Sequence, residues 1–260
     1  MLVTSEPDAG TVRPPQGENG IQANDPCPAD ACSVDPPYTL IIPAYNEETR
    51  IPRLLSQLGG ARGEIICICE GDDHTPALVS EFAQNHRGVD IRCDRRAVRL
   101  GKGGAILEGM RQARAPLVGY MDADASTSFS QMLALFALLD GADAVIGSRW
   151  IEGSVLVRGQ GLFRRLESRA FNGIIRTLFG LPFKDTQCGA KVFKKAAIDA
   201  VIEQMVSTGF EFDVELLWRI RNCGFRIREH PITWNDMGDS RVRGNDVVRM
   251  LASLLRLRFS

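Results

Sequence analysis

The chain has 260 residues, 44% of them hydrophobic and 24% charged, with a formal net charge of −1. That content suits one large domain with a sizeable core, and the near-neutral balance gives no reason to expect nucleic acid as a partner. No stretch approaches the roughly 18 uncharged apolar residues of a spanning helix, and Glu6 and Asp8 interrupt the N-terminus where a signal peptide needs an apolar run, so a cytoplasmic protein, or one peripheral to a membrane, is expected.

Residues 1 to 36 are rich in Pro, Gly, Asp and Asn and carry six acids (Glu6, Asp8, Glu18, Asp25, Asp30, Asp35) against Arg13 alone. They read as a disordered acidic tail, because they lack the apolar surface that offsets the entropy of ordering. Residues 37 to 260 are then at +4, which suits an anionic substrate or surface. The seven cysteines show no zinc spacing. Reduced thiols are the expectation, with Cys27 and Cys32 an incidental pair in the tail.

From Tyr38 onward, short β-rich runs alternate with amphipathic stretches. The order is strand Tyr38 to Ile42, helix Arg50 to Leu58, strand Glu64 to Cys69, helix Thr75 to His86, strand Val89 to Cys93, helix Gly103 to Arg114, strand Leu117 to Met121, helix Phe129 to Leu139 and strand Asp143 to Gly147. Repeated strand–helix units predict an α/β fold, a mostly parallel sheet flanked by helices in a single domain over 37 to 260. After Arg149 come longer, more basic helical stretches, Leu162 to Phe179 and Asn245 to Phe259, and a strand at Phe225 to Ile232. Each of these helices either lies on an anionic membrane surface or packs on the core with a solvated face.

In open parallel sheets, ligands bind at the carboxyl ends of the strands. Pro43 to Glu47, Glu70 to Asp73 and Asp122 to Asp124 all follow strands and so can converge on one crevice. Asp122 and Asp124, two residues apart at a strand end, can share one hard divalent cation that takes its other ligands from a diphosphate; the bland alternative is an acidic turn. Pro43, Ala44, Tyr45 and Glu47 can grip a ribose or base, or simply end a strand and cap a helix. Gly101-Lys102-Gly103-Gly104 opens a helix with glycines spaced so that backbone N–H groups or Lys102 can approach a phosphate. It lacks the spacing of a P-loop. Arg149, Arg164, Arg165 and Arg241 supply guanidiniums suited to phosphate, or else are solvated surface residues.

Together with Asp185-Thr186-Gln187-Cys188-Gly189 and Phe212-Asp213-Val214-Glu215, these segments resemble the family-2 glycosyltransferases of GT-A fold. Within them the likeness is greatest to dolichyl-phosphate β-glucosyltransferases, with dolichol-phosphate mannose synthases as near relatives. The resemblance runs in one order from Tyr38 to about Arg258. It implies a GT-A (Rossmann-like) domain that moves a sugar, glucose by likeness, from a nucleotide sugar, UDP by likeness, to a polyprenyl or dolichyl phosphate at a membrane surface.

Residue by residue, the resemblance puts Pro43, Ala44, Tyr45 and Glu47 at the nucleoside, with Glu70, Lys102 and Ala123 in the same donor site. Asp122 and Asp124 stand at a metal, Mn²⁺ or Mg²⁺. Arg149, Arg164 and Arg165 fall at the acceptor phosphate, and Arg241 at the donor diphosphate. Three departures stand out. Glu70-Gly71-Asp72-Asp73 is shorter than the family's segment and has Glu for Asp, Arg99 replaces an expected Asn, and the acidic tail stands where the eukaryotic glucosyltransferase has a membrane anchor.

The relatives invert at the anomeric carbon, so a single in-line displacement is expected, with the metal and Arg241 neutralising charge on the leaving diphosphate. A phosphate acceptor is already mostly dianionic at neutral pH, its second pKa lying near ~6. It needs positioning more than a base. A soluble transferase acting on a sugar or metabolite hydroxyl would need a base instead, and Asp213, Glu211 or Asp185 is available for it. A non-catalytic nucleotide-sugar-binding protein is the third alternative.

Overall fold

The computed structural model describes residues 37–158, 172–235, 237 and 244–259. The acidic tail, Arg164, Arg165 and Arg241 lie outside the described residues, as does the start of the helix expected from Leu162. The elements are β1 (Tyr38–Tyr45), α1 (Ile51–Leu55), β2 (Glu64–Glu70), α2 (Thr75–Asn85), β3 (Ile91–Arg96), α3 (Gly101–Gln112), β4 (Leu117–Met121), α4 (Phe129–Ala137), β5 (Ala144–Ser148) and β6 (Val155–Arg158). Helical residues 172–179 follow, then β7 (Ala190–Lys194), α5 (Lys195–Asp199), α6 (Phe212–Asn222), β8 (Ile227–Pro231), β9 (Thr233–Asn235) and α7 (Gly244–Phe259).

Period-two burial explains the sheet. In β1, Leu40 and Ile42 point to one face and Ile41 to the other; in β2, Cys67 and Cys69 oppose Ile66 and Ile68. A strand apolar on both faces must be covered on both. On one side lie α1, α2 and α4, through residues such as Leu54, Phe82 and Phe136. On the other lie α3, α5, α6 and α7, through Met110, Ile198, Leu216 and Leu254. The result is the expected mostly parallel sheet between helices.

The strand order is β3-β2-β1-β4-β7-β5-β8, and β6 pairs with β9 in a separate ribbon. β7 runs antiparallel to both β4 and β5, and the other pairs are parallel. This inserted strand brings Cys188-Gly189, just ahead of it, beside the end of β4. β1 is longer than expected and runs through Pro43. Its pairing with β4 stops at Ile41 while its pairing with β2 continues to Tyr45, so the proline falls where one side of the strand has no neighbour.

α7 forms along the expected stretch and packs on the core through Met250 and Leu254, while Leu255 and Phe259 remain exposed. No helix among the described residues is long and apolar enough to cross a membrane.

Candidate active site

The carboxyl ends of β1, β2 and β4 meet at one edge of the sheet. The turn after β1 is held by Asn46, which adopts a left-handed conformation with φ 49° and accepts the Asp72 N–H at 3.0 Å. That bond ties the β1 loop to the β2 loop. Glu47 is buried and both its oxygens are taken by Arg50, at 2.6 and 2.5 Å. Glu70 is buried and accepts the Leu100 N–H at 2.5 Å, joining the end of β2 to the start of α3. Tyr45 carries the Arg99 guanidinium over its ring at 4.0 Å. Ala44 and Ala123 turn their methyls into the core. Any contact they make with a nucleotide is therefore through backbone.

Lys102 spans the gap between α3 and β4, its Nζ 2.7 Å from Asp122 Oδ1. The glycines around it allow a close packing contact. A Cβ on Gly103 would lie 2.4 Å from the Phe212 Cβ, one on Gly101 would lie 2.8 Å from the Thr208 carbonyl, and the Gly104 N–H already donates to that carbonyl. They let α3 press against residues 208–212, while the Lys102 side chain reaches out to Asp122.

Asp122 and Asp124 are both part-exposed. Asp124 accepts the Ser126 N–H at 2.9 Å, and Ala125 between them has φ 56°, a turn that keeps Asp124 at the strand end. Burial and the neighbouring Asp122 raise the Asp124 carboxyl above its usual range. Burial also works against ionisation of Asp122, but the Lys102 charge and hydrogen bond, with Lys191 and Arg149, hold it below its usual value. Lys102 is opposed by burial too, yet Asp122 and Asp213 keep it raised.

The pair fits a hard divalent cation. Both ligands are carboxylates, they repel each other, and a Cβ on Gly189 would lie 1.9 Å from Asp122 Oδ2. Glycine there is what keeps that oxygen clear. Among the described residues, no group of three or more His, Cys, Asp or Glu side chains would hold a metal unaided, so the remaining ligands would come from water or a bound molecule.

The acceptor-side candidates are arranged differently. Arg149 grips Asp185 with Nε at 2.7 Å and Nη2 at 2.9 Å, and its backbone N–H donates to the same carboxylate at 3.0 Å. The guanidinium also lies 5.4 Å from the Trp234 ring centroid. Asp185 is fully buried, and burial alone would raise it, but Arg149 holds it below the ordinary range. Nε and Nη2 of Arg149 are thus both engaged by Asp185. Asp213 stands inside the molecule, paired with buried Lys191 at 2.7 Å and hydrogen-bonded by the Tyr120 hydroxyl. Lys191, which the sequence reading passed over, also donates to the Cys188 carbonyl. It thereby fixes the loop that carries Gly189. A lysine directly ahead of the apolar pair Val192-Phe193 was the available signal.

Asn235 lies beside this strand end, donating its N–H to the Ser126 carbonyl at 2.9 Å, and Arg53 donates to the Met237 sulfur.

Against known proteins, the family model described as Glycosyl transferase family 2 matches residues 39–202. "Glycosyltransferase AglD" of Haloferax volcanii is 31% identical over 241 residues, covering 88% of this chain and 38% of its own length. "Dolichyl-phosphate beta-glucosyltransferase" of Dictyostelium discoideum is 27% identical over 240 residues, covering 85% of this chain and 73% of its own. Among solved structures, glucosyl-3-phosphoglycerate synthase from Mycobacterium tuberculosis, in complex with Mn²⁺, UDP and glucosyl-3-phosphoglycerate, superimposes with a TM-score of 0.60 at 17% identity, over 94% of this chain and 86% of that one. At that identity the likeness concerns the fold.

Proposed function

The chain belongs to glycosyl transferase family 2, and from that footing we propose that it transfers glucose from UDP-glucose to a polyprenyl phosphate, with inversion at the sugar carbon. The observation that carries this reading is the state of the carboxylates. Of the three that would serve a hydroxyl acceptor as base, Asp213 is locked to Lys191 and Tyr120, Asp185 is gripped by Arg149, and Glu211 accepts the Gly209 N–H. An acceptor that arrives ionised needs none of them, and a phosphate monoester does so. The naming of relatives as dolichyl-phosphate glucosyltransferases supports the same acceptor.

In this reading Pro43 to Glu47 and Glu70 hold the nucleoside, and Asp122 and Asp124 face the diphosphate. A divalent cation held by those two carboxylates supplies charge neutralisation for the departing nucleotide. Lys102 and Arg241 add cationic groups to the same task, while the Nη1 edge of Arg149, with Arg164 and Arg165, orients the acceptor phosphate. The exposed Leu255 and Phe259 of α7, interleaved with Arg256 and Arg258, suit a helix lying at an anionic lipid surface.

The test is a panel of UDP- and GDP-sugars with Mn²⁺ or Mg²⁺, offered polyprenyl phosphate, the free polyprenol, or a small hydroxyl acceptor, with products identified by mass spectrometry. A glucosylated polyprenyl phosphate is expected. Transfer to the hydroxyl acceptor alone would replace this reading with that of a soluble metabolite transferase.

A further inference from the structure

Lys102 is in an unexpected place. It occupies the first turn of α3, where the partial positive charge of the helix end disfavours a cation, and glycines on both sides allow its helix to pack without it. Helix stability gives no reason for a lysine there. The side chain is nonetheless only 18% exposed and ends 2.7 Å from Asp122, which is the more open partner at 38%.

The neighbouring charges explain the contact. Asp122 and Asp124 stand two residues apart at the strand end, both part-exposed, and as like charges they repel. Without a ligand some counter-charge has to sit between the strand end and α3, and the Lys102 ammonium supplies it. A divalent cation on the same two carboxylates would place two positive centres on Asp122, so one must leave. The lysine stem is flexible and its ammonium is a mobile point charge, whereas Asp124 is held in place by the Ser126 N–H and Asp122 sits at the strand end against Gly189. A nucleoside diphosphate arriving with the cation brings anionic oxygens that can receive the ammonium.

We propose that Lys102 is an exchangeable counter-ion that couples the cation to the nucleotide: it guards Asp122 against a cation alone and transfers to the diphosphate when the two arrive together. The inference rests on the donor-site reading above and adds a binding order to it. Free cation binds weakly because it must displace Lys102 into solvent. With the diphosphate present, the displaced ammonium gains a partner, and the two ligands bind with positive coupling.

The experiment measures Mn²⁺ binding by paramagnetic resonance, and UDP binding in saturating Mn²⁺ by calorimetry, on the full chain and its Lys102→Met variant. Lys102→Met is expected to bind Mn²⁺ alone about tenfold more tightly than wild type and UDP with Mn²⁺ about tenfold more weakly, changes of ordinary size for coupled sites. A lysine needed only for structure would, when removed, weaken both. Lys102→Arg retains the charge and should keep Mn²⁺ alone weak, and Lys102→Gln repeats the Met test with a polar chain should the Met variant fold poorly. Unchanged or weakened Mn²⁺ binding in the Met and Gln variants overturns the coupling. The donor-site reading is judged separately: if wild type binds no UDP in the presence of Mn²⁺, or Asp124→Asn binds as wild type does, that reading fails and the coupling with it.

Discussion

Two ion pairs of equal length, both 2.7 Å, divide this molecule. Lys102–Asp122 stands at the rim of the crevice with 18% and 38% of its side chains exposed, while Lys191–Asp213 lies behind it with 0% and 3%. Distance therefore says little about what a pair does. At the rim, water and incoming ligands can replace either partner, and the pair can exchange. In the interior, each charge was taken out of water at high cost and is tolerable only while the other remains. Arg149–Asp185, with side chains 12% and 0% exposed, belongs with the interior pair. The exposed pair is open to replacement by a ligand, and the interior pairs brace the loops beside it.

The largest effect should come from breaking the interior pair. Lys191→Met leaves Asp213 buried beside Tyr120 with no cation, and urea denaturation should show a loss of about 3–5 kcal/mol. A loss under about 1 kcal/mol would mean that the interior is wetter than this argument allows.

Next is Asp185→Asn, which leaves the Arg149 guanidinium half-satisfied and should cost about 3 kcal/mol at neutral pH. Its sharper signature is in acid. The folded-state value of Asp185 is depressed, so its contribution is present above the unfolded value of about 3.9 and is lost as pH falls through the lower folded value. Wild type should lose stability steeply below about pH 4, and the Asn variant should show a shallower acid limb. Parallel limbs in the two proteins would remove Asp185 from the account.

The donor side was legible in the sequence because its strands obey a local rule. Tyr38 to Ile42, Glu64 to Cys69 and Leu117 to Met121 are apolar on successive residues, a pattern that only a doubly covered strand requires, and a carboxylate loop follows each of the last two. β3 was placed too early, at Val89 to Cys93. It runs to Arg96 at the sheet edge, where Arg92, Asp94 and Arg96 pair with Glu64, Glu108 and Gln112 rather than entering the core. β6, β7 and β9 were not foreseen. β7 is antiparallel and carries Lys191 and Lys194 among its five residues, so neither the strand–helix alternation nor an apolar run announces it. Asp213 is the clearest case at the site. Its neighbours in sequence describe a helix start, and only the tertiary approach of β7 reveals that its carboxylate pairs with a lysine.

Gly189→Ala probes the seam between the two regions. The added Cβ would fall 1.9 Å from Asp122 Oδ2, and the carboxylate, being part-exposed, can turn aside, so the stability loss should stay near ~1 kcal/mol. Binding of UDP with Mn²⁺ should fall about tenfold, because the turned carboxylate no longer faces Asp124. If stability drops heavily while binding is untouched, Gly189 serves packing alone.

The smallest effect on stability belongs to Asp124→Asn, and this variant carries the comparison to its limit. The Asp124 carboxyl is raised by burial and by Asp122. Its ionised form is therefore disfavoured in the folded state, and at neutral pH removing the charge relieves the fold. The Asn side-chain oxygen can still accept the Ser126 N–H, so the turn survives. Thermal melting should be unchanged or slightly higher, within about 0.5 kcal/mol in stability. Transfer of sugar, in contrast, should be lost, since one of the two hard oxygen ligands facing the diphosphate has become a neutral amide. A residue whose removal spares the fold and abolishes the reaction is placed for ligands alone. Normal turnover by Asp124→Asn, with a donor whose binding still requires Mn²⁺, would move the cation away from this strand end.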